Sequence, residues 1–390
     1  MNDGQPRALL PAGLGDLLPP EAAREAATVE GLLAAFAGHG YERVKPPLVE
    51  FEAELLGGDP AADPDQAFRL MDPVSRRMMA VRMDMTMQVA RIATTRLVAA
   101  PRPLRLCYAG DVLRVAGTGL RPERQFCQVG VELIGAADPG AADAEVVLLA
   151  ASSLAAAGVR DLAVDLTLPA LVPATAAALG LDDDLAGRLR HALDRKDAAA
   201  VAAIAGEAGN DGAGLFAGLL AAAGPADAAL AAIAALDLPA PARREADRLA
   251  GVVGLVRAAA PDLALTVDPV ENRGFSYHAG ISFTLFAAGV RGELGSGGRY
   301  IAGAGMEGRE GEAATGFSLF MDSLLRAVPA AETVERTFVP ADAATGAAAA
   351  LRADGRITVR GLVPVADNRA EARRLGCAML WTPDGVRPVG

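Results

Sequence analysis

The sequence predicts an α+β fold: a mostly antiparallel sheet flanked by helices, with a helical insertion and a short C-terminal α/β tail. Two strand-like segments, 104–114 and 124–134, are joined by a flexible loop over 115–121 with Gly117 and Gly119, which makes them a hairpin with a long tip and their sheet antiparallel. Further strands follow without the regular strand–helix–strand alternation of a parallel sheet. Between them lies an alanine-dominated block, 170–262, with leucines at helical spacing in "DDDLAGRLRHALDRKDAAAVAAIAG". The expected division is therefore a core made of 1–169 and 263–328, a helical insertion over 170–262, and a small domain over 331–390.

The segment "PPEAAREAATVEGLLAAFA", 19–37, reads as a helix. Pro19 and Pro20 open it, Glu21 and Glu25 favour its N-terminal end, and Val29, Leu32, Leu33 and Phe36 form one apolar stripe. Gly38 and Gly40 stop it. A short strand follows, ended by Pro46 and Pro47. "RRMMAVRMDMTMQVARIATTRL" is a strand running into a helix that begins near Asp84 or Thr86. After the hairpin, a helix over 143–157 starts at Asp143 and ends at Gly158, and "RDLAVDLTL" alternates as a strand. Strands return at 263–268 and in "RGFSYHAGISFTLFAAG". "GSGGRY" reads as a tight turn between strands, since it lacks the Lys-Ser/Thr of a phosphate loop. "ATGFSLFMDSLLRAV" is a strand turning into a helix, and the tail beyond Pro329 holds two or three weak strands and the lone Trp381.

Of the 390 residues, 52% are hydrophobic and 22% charged, as in globular proteins. The net charge of −11 argues against a broad nucleic-acid-binding surface. Three cysteines (Cys107, Cys127, Cys377) without metal-type spacing indicate a reducing compartment, and no bilayer-spanning run or leader pattern stands out. The cytoplasm is the expected location. His39, His191 and His278 are too scattered for a metal cluster, and no cofactor is expected.

Chemistry is concentrated where polar groups sit among apolar ones at strand ends. In "RPERQFCQVGVELIG" the even positions carry Phe126, Gln128, Gly130, Glu132 and Ile134 on one strand face, more like the floor of a pocket than a wet surface. Asp84 with Thr86, Arg114, and Arg273 with Tyr277 and His278 are of the same kind. Two acids, two arginines, an amide and hydroxyls suit a small zwitterion: acids and amide for an ammonium group, an arginine for a carboxylate.

In order along the chain, these segments resemble the motifs of class II aminoacyl-tRNA synthetases, histidyl-tRNA synthetase in particular. "GYERVKPPLVE" resembles the first class motif, with Pro47 as its proline, and "VRMDMTMQVAR" resembles the segment Arg-Pro-Glu-Gly-Thr. "LRVAGTGLRPERQFCQVGVELIG" resembles the second motif, with Arg114 as its arginine, and "RGFSYHAGISF" the histidine-specific Arg-Gly-Leu-Asp-Tyr-Tyr motif, followed by "GGRY". The match runs over about residues 8 to 328. The resemblance implies a histidine site in which Asp84, Thr86 and Gln128 hold the amino group and Glu132 the imidazole. Arg114, Arg273 and Tyr277 complete the set, and His278 stands where the family has its second tyrosine.

The departures from the family are specific. Where the third motif needs an arginine for ATP, this chain has Ser323, preceded by Asp322. Where the second motif continues with an acid and a further arginine, it has Ala116 and Gly117. Nothing then neutralises a triphosphate. The tail is too short for the family's anticodon-binding domain, so no tRNA partner is expected. The pattern resembles the synthetase paralogue that serves as regulatory subunit of ATP phosphoribosyltransferase. That resemblance implies no catalytic residues and no metal, L-histidine as possible ligand, a homodimer, and a hetero-octamer with a short-form catalytic subunit. A divergent histidine-activating ligase and a stand-alone histidine sensor are the alternatives.

Overall fold

A computed structural model of the chain describes residues 10–56, 66–207, 210–271, 280–303, 311–330 and 335–390. The chain forms two compact units, Met1–Pro329 and Ala330–Gly390. The first begins with α1 (Glu21–Gly38), β1 (Glu42–Arg43), β2 (Val49–Phe51), α2 (Glu52–Leu56), β3 (Arg69–Met71), β4 (Met78–Val81) and α3 (Thr86–Thr95). The hairpin β5 (Leu104–Leu113) and β6 (Gln125–Ile134) follows, then α4 (Pro139–Ala156) and β7 (Leu162–Thr167). Next come α5 (Leu171–Ala178), α6 (Asp183–Asp194), α7 (Ala198–Glu207), α8 (Asn210–Ala221), β8 (Gly224–Pro225), α9 (Ala226–Ala235) and α10 (Ala240–Ala259). The unit closes with β9 (Ala264–Asp268), β10 (Ser282–Ala287), β11 (Gly295–Ala302), β12 (Glu312–Phe320) and α11 (Met321–Ala327).

Nine strands form the main sheet in the order β1-β5-β6-β12-β11-β10-β7-β9-β8. Only β1–β5 and β7–β9 are parallel, so the α+β expectation holds. A separate three-stranded sheet, β2-β4-β3, was not foreseen; strands of three or four residues are too short to show a period. One sheet face carries the large core, where Val29, Leu32, Leu33 and Phe36 of α1 meet Val129, Val131 and Leu133 of β6. That core continues into the inserted helices through Leu189, Leu193, Val201, Phe216 and Leu219. The opposite face carries a smaller core of Met85, Val89, Leu106, Tyr108, Phe126, Ile134, Tyr300 and Phe320.

Two sequence readings are corrected. "GSGGRY" is not a turn but part of β11, inside the sheet. A Cβ at Gly297 would lie 2.3 Å from Gly316 O and 2.7 Å from Phe283 Cζ, and one at Gly298 2.8 Å from Ser282 Cβ. The glycines are there because neighbouring strands and side chains come too close for a side chain. The helix placed at 143–157 starts earlier, at Pro139: Asp138 is its cap, accepting from Ala141 N at 3.1 Å. Asp143 instead lies buried inside α4 and holds Arg299 of β11 through two hydrogen bonds of 2.7 and 3.1 Å. The length and apolarity of α4 would let it cross a bilayer, but 56% of it is buried, with its flanks against α1, α10 and β12.

The second unit holds β13 (Arg336–Val339), α12 (Ala347–Ala353), β14 (Ile357–Arg360), α13 (Asn368–Arg374), β15 (Met379–Thr382) and β16 (Gly385–Pro388). Its sheet runs β14-β13-β15-β16, parallel except for the last pair, over a core of Phe338, Ala372, Cys377, Leu380 and Val389. The four strands and two helices exceed the two or three strands read from the sequence.

The Arg299–Asp143 pair, 13% and 8% exposed, pins α4 to the sheet. Asp143→Ala should cost about 3–5 kcal/mol, because it strands a buried guanidinium. Asp143→Ala combined with Arg299→Met should recover most of that loss; urea denaturation midpoints of the three chains check both statements.

Candidate functional site

Direct cross-strand partners point to the same sheet face, so register alone assembles the site. Tyr108 of β5 pairs with Gly130 of β6, and Gly130 with Ser318 of β12. One row further, Leu106 pairs with Glu132, and Glu132 with Gly316. A row the other way, Gly110 pairs with Gln128, and Gln128 with Phe320. The even positions of β6 thus form a line with a step of about 6.7 Å: acid, gap, amide, aromatic ring.

The gap at Gly130 is filled by the protein itself. A Cβ there would lie 2.4 Å from Phe317 O and 2.5 Å from the Tyr108 hydroxyl. Gly316 is bare for the same reason: its Cβ would lie 2.1 Å from Glu132 Oε2. With both side chains absent, Tyr108 donates to Glu132 Oε1 at 3.1 Å and Tyr300 donates to Oε2 at 2.9 Å. The Tyr108 hydroxyl is also within 3.0 Å of Ser318 Oγ and 3.3 Å of Thr86 Oγ1. Gln128 Nε2 donates to Asp84 Oδ2 and to Ser318 Oγ, both at 2.6 Å, while its Oε1 accepts from Met85 N at 3.0 Å. Asp84 Oδ1 accepts from Thr86 N at 2.7 Å, where α3 begins. Asp84, Thr86, Gln128 and Glu132 are therefore members of one hydrogen-bonded network.

The network has a buried and an open end. Glu132 and Gln128 are each 1% exposed, whereas Asp84 is half-buried and can reach a ligand. Burial raises the Glu132 carboxyl to about 8, against the partial opposition of the tyrosine hydroxyls, so it is predominantly protonated at neutral pH. Buried Arg82 supports the loop that carries Asp84. Its Nε donates to Asp111 O at 2.7 Å and its Nη1 to Pro46 O at 3.1 Å, and Gly110 leaves it room.

Beyond Gln128 the line continues to an arginine pair. Arg114 lies with its Cζ 5.0 Å from the Phe126 ring centroid and, among the described residues, has no carboxylate bonded to it. Burial and the neighbouring Arg121 lower its pKa. Arg121 stacks on Phe320 at 3.9 Å and Phe126 at 4.4 Å, and donates twice to Asp322, at 2.9 Å each. Ser323 is fully buried, and a Cβ at Gly117 would lie 2.4 Å from Pro122 O. Neither place has room for a long cationic side chain as the backbone stands. Arg273, Tyr277 and His278 lie outside the described residues. Among the described residues, no group of three or more His, Cys, Asp or Glu is placed to hold a metal ion.

The sequence reading missed Tyr108, Tyr300, Ser318, Arg82 and Arg121. Tyr108 could have been found by counting back across the hairpin from Gly130. Ser318 comes from β12, which pairs with β6, and Tyr300 from β11, one strand further out; no local pattern reveals either placement.

A nine-stranded sheet of this order with an acid–amide–acid network on one face is the architecture of a histidyl-tRNA synthetase-like protein. A family model described as histidyl-tRNA synthetase matches residues 13–324. The chain also aligns along its whole length with an ATP phosphoribosyltransferase regulatory subunit of Paramagnetospirillum magneticum, 56% identical and covering all of both chains. It aligns equally with that of Rhodospirillum centenum, 56% identical over 98% of this chain and 96% of the relative. A solved Bacillus halodurans structure, titled an ATP phosphoribosyltransferase regulatory subunit/histidyl-tRNA synthetase, superposes with a TM-score of 0.82. It is 24% identical and covers 95% of this chain and 97% of its own, a likeness of fold. The chain belongs to the ATP phosphoribosyltransferase regulatory subunit family, on the histidyl-tRNA synthetase fold.

The raised Glu132 carboxyl makes stability depend on pH. The folded protein keeps this proton up to about 8, while an unfolded glutamate releases it near 4.5. The stabilisation from the bound proton is full below that lower value and is lost as pH rises through the higher one. Glu132→Gln, which stays neutral, should remove a slope of at most about 1.4 kcal/mol per pH unit across the window. Melting curves from pH 5 to 9 should show the variant gaining on the native protein as pH rises; parallel curves would refute the assignment.

Proposed function

We propose that the chain is a non-catalytic, histidine-responsive subunit working in the cytoplasm. Its partner is a short-form ATP phosphoribosyltransferase catalytic subunit, in the first step of histidine biosynthesis. The observation that carries this reading is the contrast along β6. At one end, Asp84, Thr86, Gln128 and Glu132 form a complete network suited to an amino acid. At the other, the cations an ATP site requires beyond Arg114 are replaced or already paired. The half-buried Asp84 carboxylate suits the ammonium group of L-histidine, and Arg114 its carboxylate. The Gln128 amide has spent both N–H groups, so its part is to orient Asp84. Glu132 belongs to the imidazole end of the proposed site by resemblance; 1% exposed, it acts there through the Tyr108 and Tyr300 hydroxyls that it holds. Arg273, Tyr277 and His278 belong to the proposed site by resemblance.

The full-length relatives support a regulatory role. The proposal adds a homodimer as the free state and a hetero-octamer with the catalytic subunit. Ser323, Ala116 and Gly117 support the absence of catalysis, since nothing at these positions can hold a triphosphate.

Three measurements bear on this. The purified chain should show no histidine-dependent pyrophosphate–ATP exchange; turnover above background would turn the reading toward a ligase. Asp84→Asn should weaken L-histidine in calorimetry by about ten- to a hundredfold, the loss of a charge-assisted bond, and raise by the same factor the histidine needed for feedback inhibition. Co-expression with the short catalytic subunit should give a complex with the mass of an octamer, and light scattering of the chain alone a dimer.

A further inference from the structure

The side of the site beyond Arg114 is closed by side chains that have nothing to do with holding a free amino acid. Phe320 is 1% exposed and meets Phe126 edge to face, with ring centroids 5.9 Å apart. Arg121 lies over both rings, and its guanidinium fork is met by both oxygens of Asp322. The side chains of this pair are 6% and 3% exposed. Glu293 lies 3.5 Å from Arg121 Nη1, so a second acid faces the same cation. The Arg121 backbone is tied into a tight turn: its N–H donates to Thr118 O, and Thr118 N–H donates to Arg121 O at 2.7 Å. Arg114 lies over the same two rings, close enough to Arg121, Asp84 and Asp322 to feel the charge of each.

We propose that Phe126, Phe320, Arg121 and Asp322 form a plug that limits the Arg114 side of the site to a single small carboxylate, rejecting acyl adenylates and nucleotides. This deepens the histidine reading and rests on it. A group extending past the ligand carboxylate has to enter the space that the Phe320 ring fills. If that group is a phosphate, it meets a cation already neutralised by Asp322, and two carboxylates that repel it. Specificity built this way comes from clash and like charge as much as from attraction to the right ligand. It also separates the present chain from one that merely lacks an ATP-binding arginine, because the space itself is occupied.

The test is calorimetry on the full-length chain with three probes: L-histidine, AMP, and the non-hydrolysable sulfamate analogue of histidyl adenylate. The native protein should bind L-histidine, give no heat with AMP, and bind the analogue at least about a hundredfold more weakly than histidine. Phe320→Ala removes the ring and should raise affinity for the analogue at least about tenfold. Asp322→Asn keeps the shape, leaves Arg121 facing only the more exposed Glu293 and should do the same. Melting curves establish that each variant is folded, and the native comparison decides alone if neither is. Analogue binding to the native protein as tight as histidine binding, AMP binding to the native protein, or folded variants that gain nothing would each overturn the plug. If histidine gives no heat with the native protein, the histidine reading fails. The plug is then judged by AMP and analogue alone: binding confined to the variants supports it, and no binding to any chain sinks it.

Discussion

The Glu132 carboxyl, sunk to 1% exposure in the middle of a nine-stranded sheet, sets terms for everything around it. A carboxyl group without water needs hydrogen-bond donors on its oxygens. Here they are the hydroxyls of Tyr108 from β5 and Tyr300 from β11, on opposite sides of β6 and β12. Tyr108 reaches it from the adjoining strand and Tyr300 from beyond β12, so the positions that the hydroxyl and the carboxyl lie against must be empty. Gly130 and Gly316 are that emptiness, and a methyl group at either place would overlap the hydroxyl, the carboxyl or the neighbouring backbone. Ser318 then satisfies the Tyr108 hydroxyl and Gln128 together, and Gln128 passes the order on to Asp84 at the start of α3. A half-satisfied network of this kind costs more than an apolar core, which is why every member is held.

The two ends of the β6 line are stabilised differently. At the Glu132 end, neutral hydroxyls and a protonated acid keep charge out of the interior. At the Phe126 end, charge is admitted but cancelled, with Arg121 locked onto Asp322 between two aromatic rings. Between them, Arg114 is a cation without a bonded counter-ion among the described residues. A fold suited to activating an amino acid needs several cations along that side for a polyphosphate. In this chain Arg114 stands alone there, and the Phe126, Phe320, Arg121 and Asp322 side chains pack next to it.

The rest of the first unit supports this face from behind. α1 and α4 pack on the odd positions of β6, and α4 is fastened to β11 through Asp143 and Arg299. The same core runs on into the inserted helices, so the insertion is continuous with the sheet that carries the site rather than packed on its own.

Wherever a segment carried its own period, the sequence by itself determined the outcome. The apolar stripe of α1, the β5–β6 hairpin, the two faces of β6 and the strand-to-helix turn of β12 and α11 follow from local alternation and end signals. So does the residue content of the Asp84–Gln128–Glu132 constellation, since polar groups on an otherwise apolar face are visible in one dimension. The tertiary structure alone decided what depends on neighbours distant along the chain. "GSGGRY" could be told from a turn only by seeing which atoms crowd Gly297 and Gly298. Tyr108, Tyr300 and Ser318 join the site only because β5 and β12 flank β6 and β11 lies next to β12. Asp322 reads as one more surface acid at a helix start until Arg121, two hundred residues earlier, is found bonded to it. Local sequence sets φ/ψ preference and polarity; which side chains share a buried volume is set by strand order, and strand order is a property of the whole sheet.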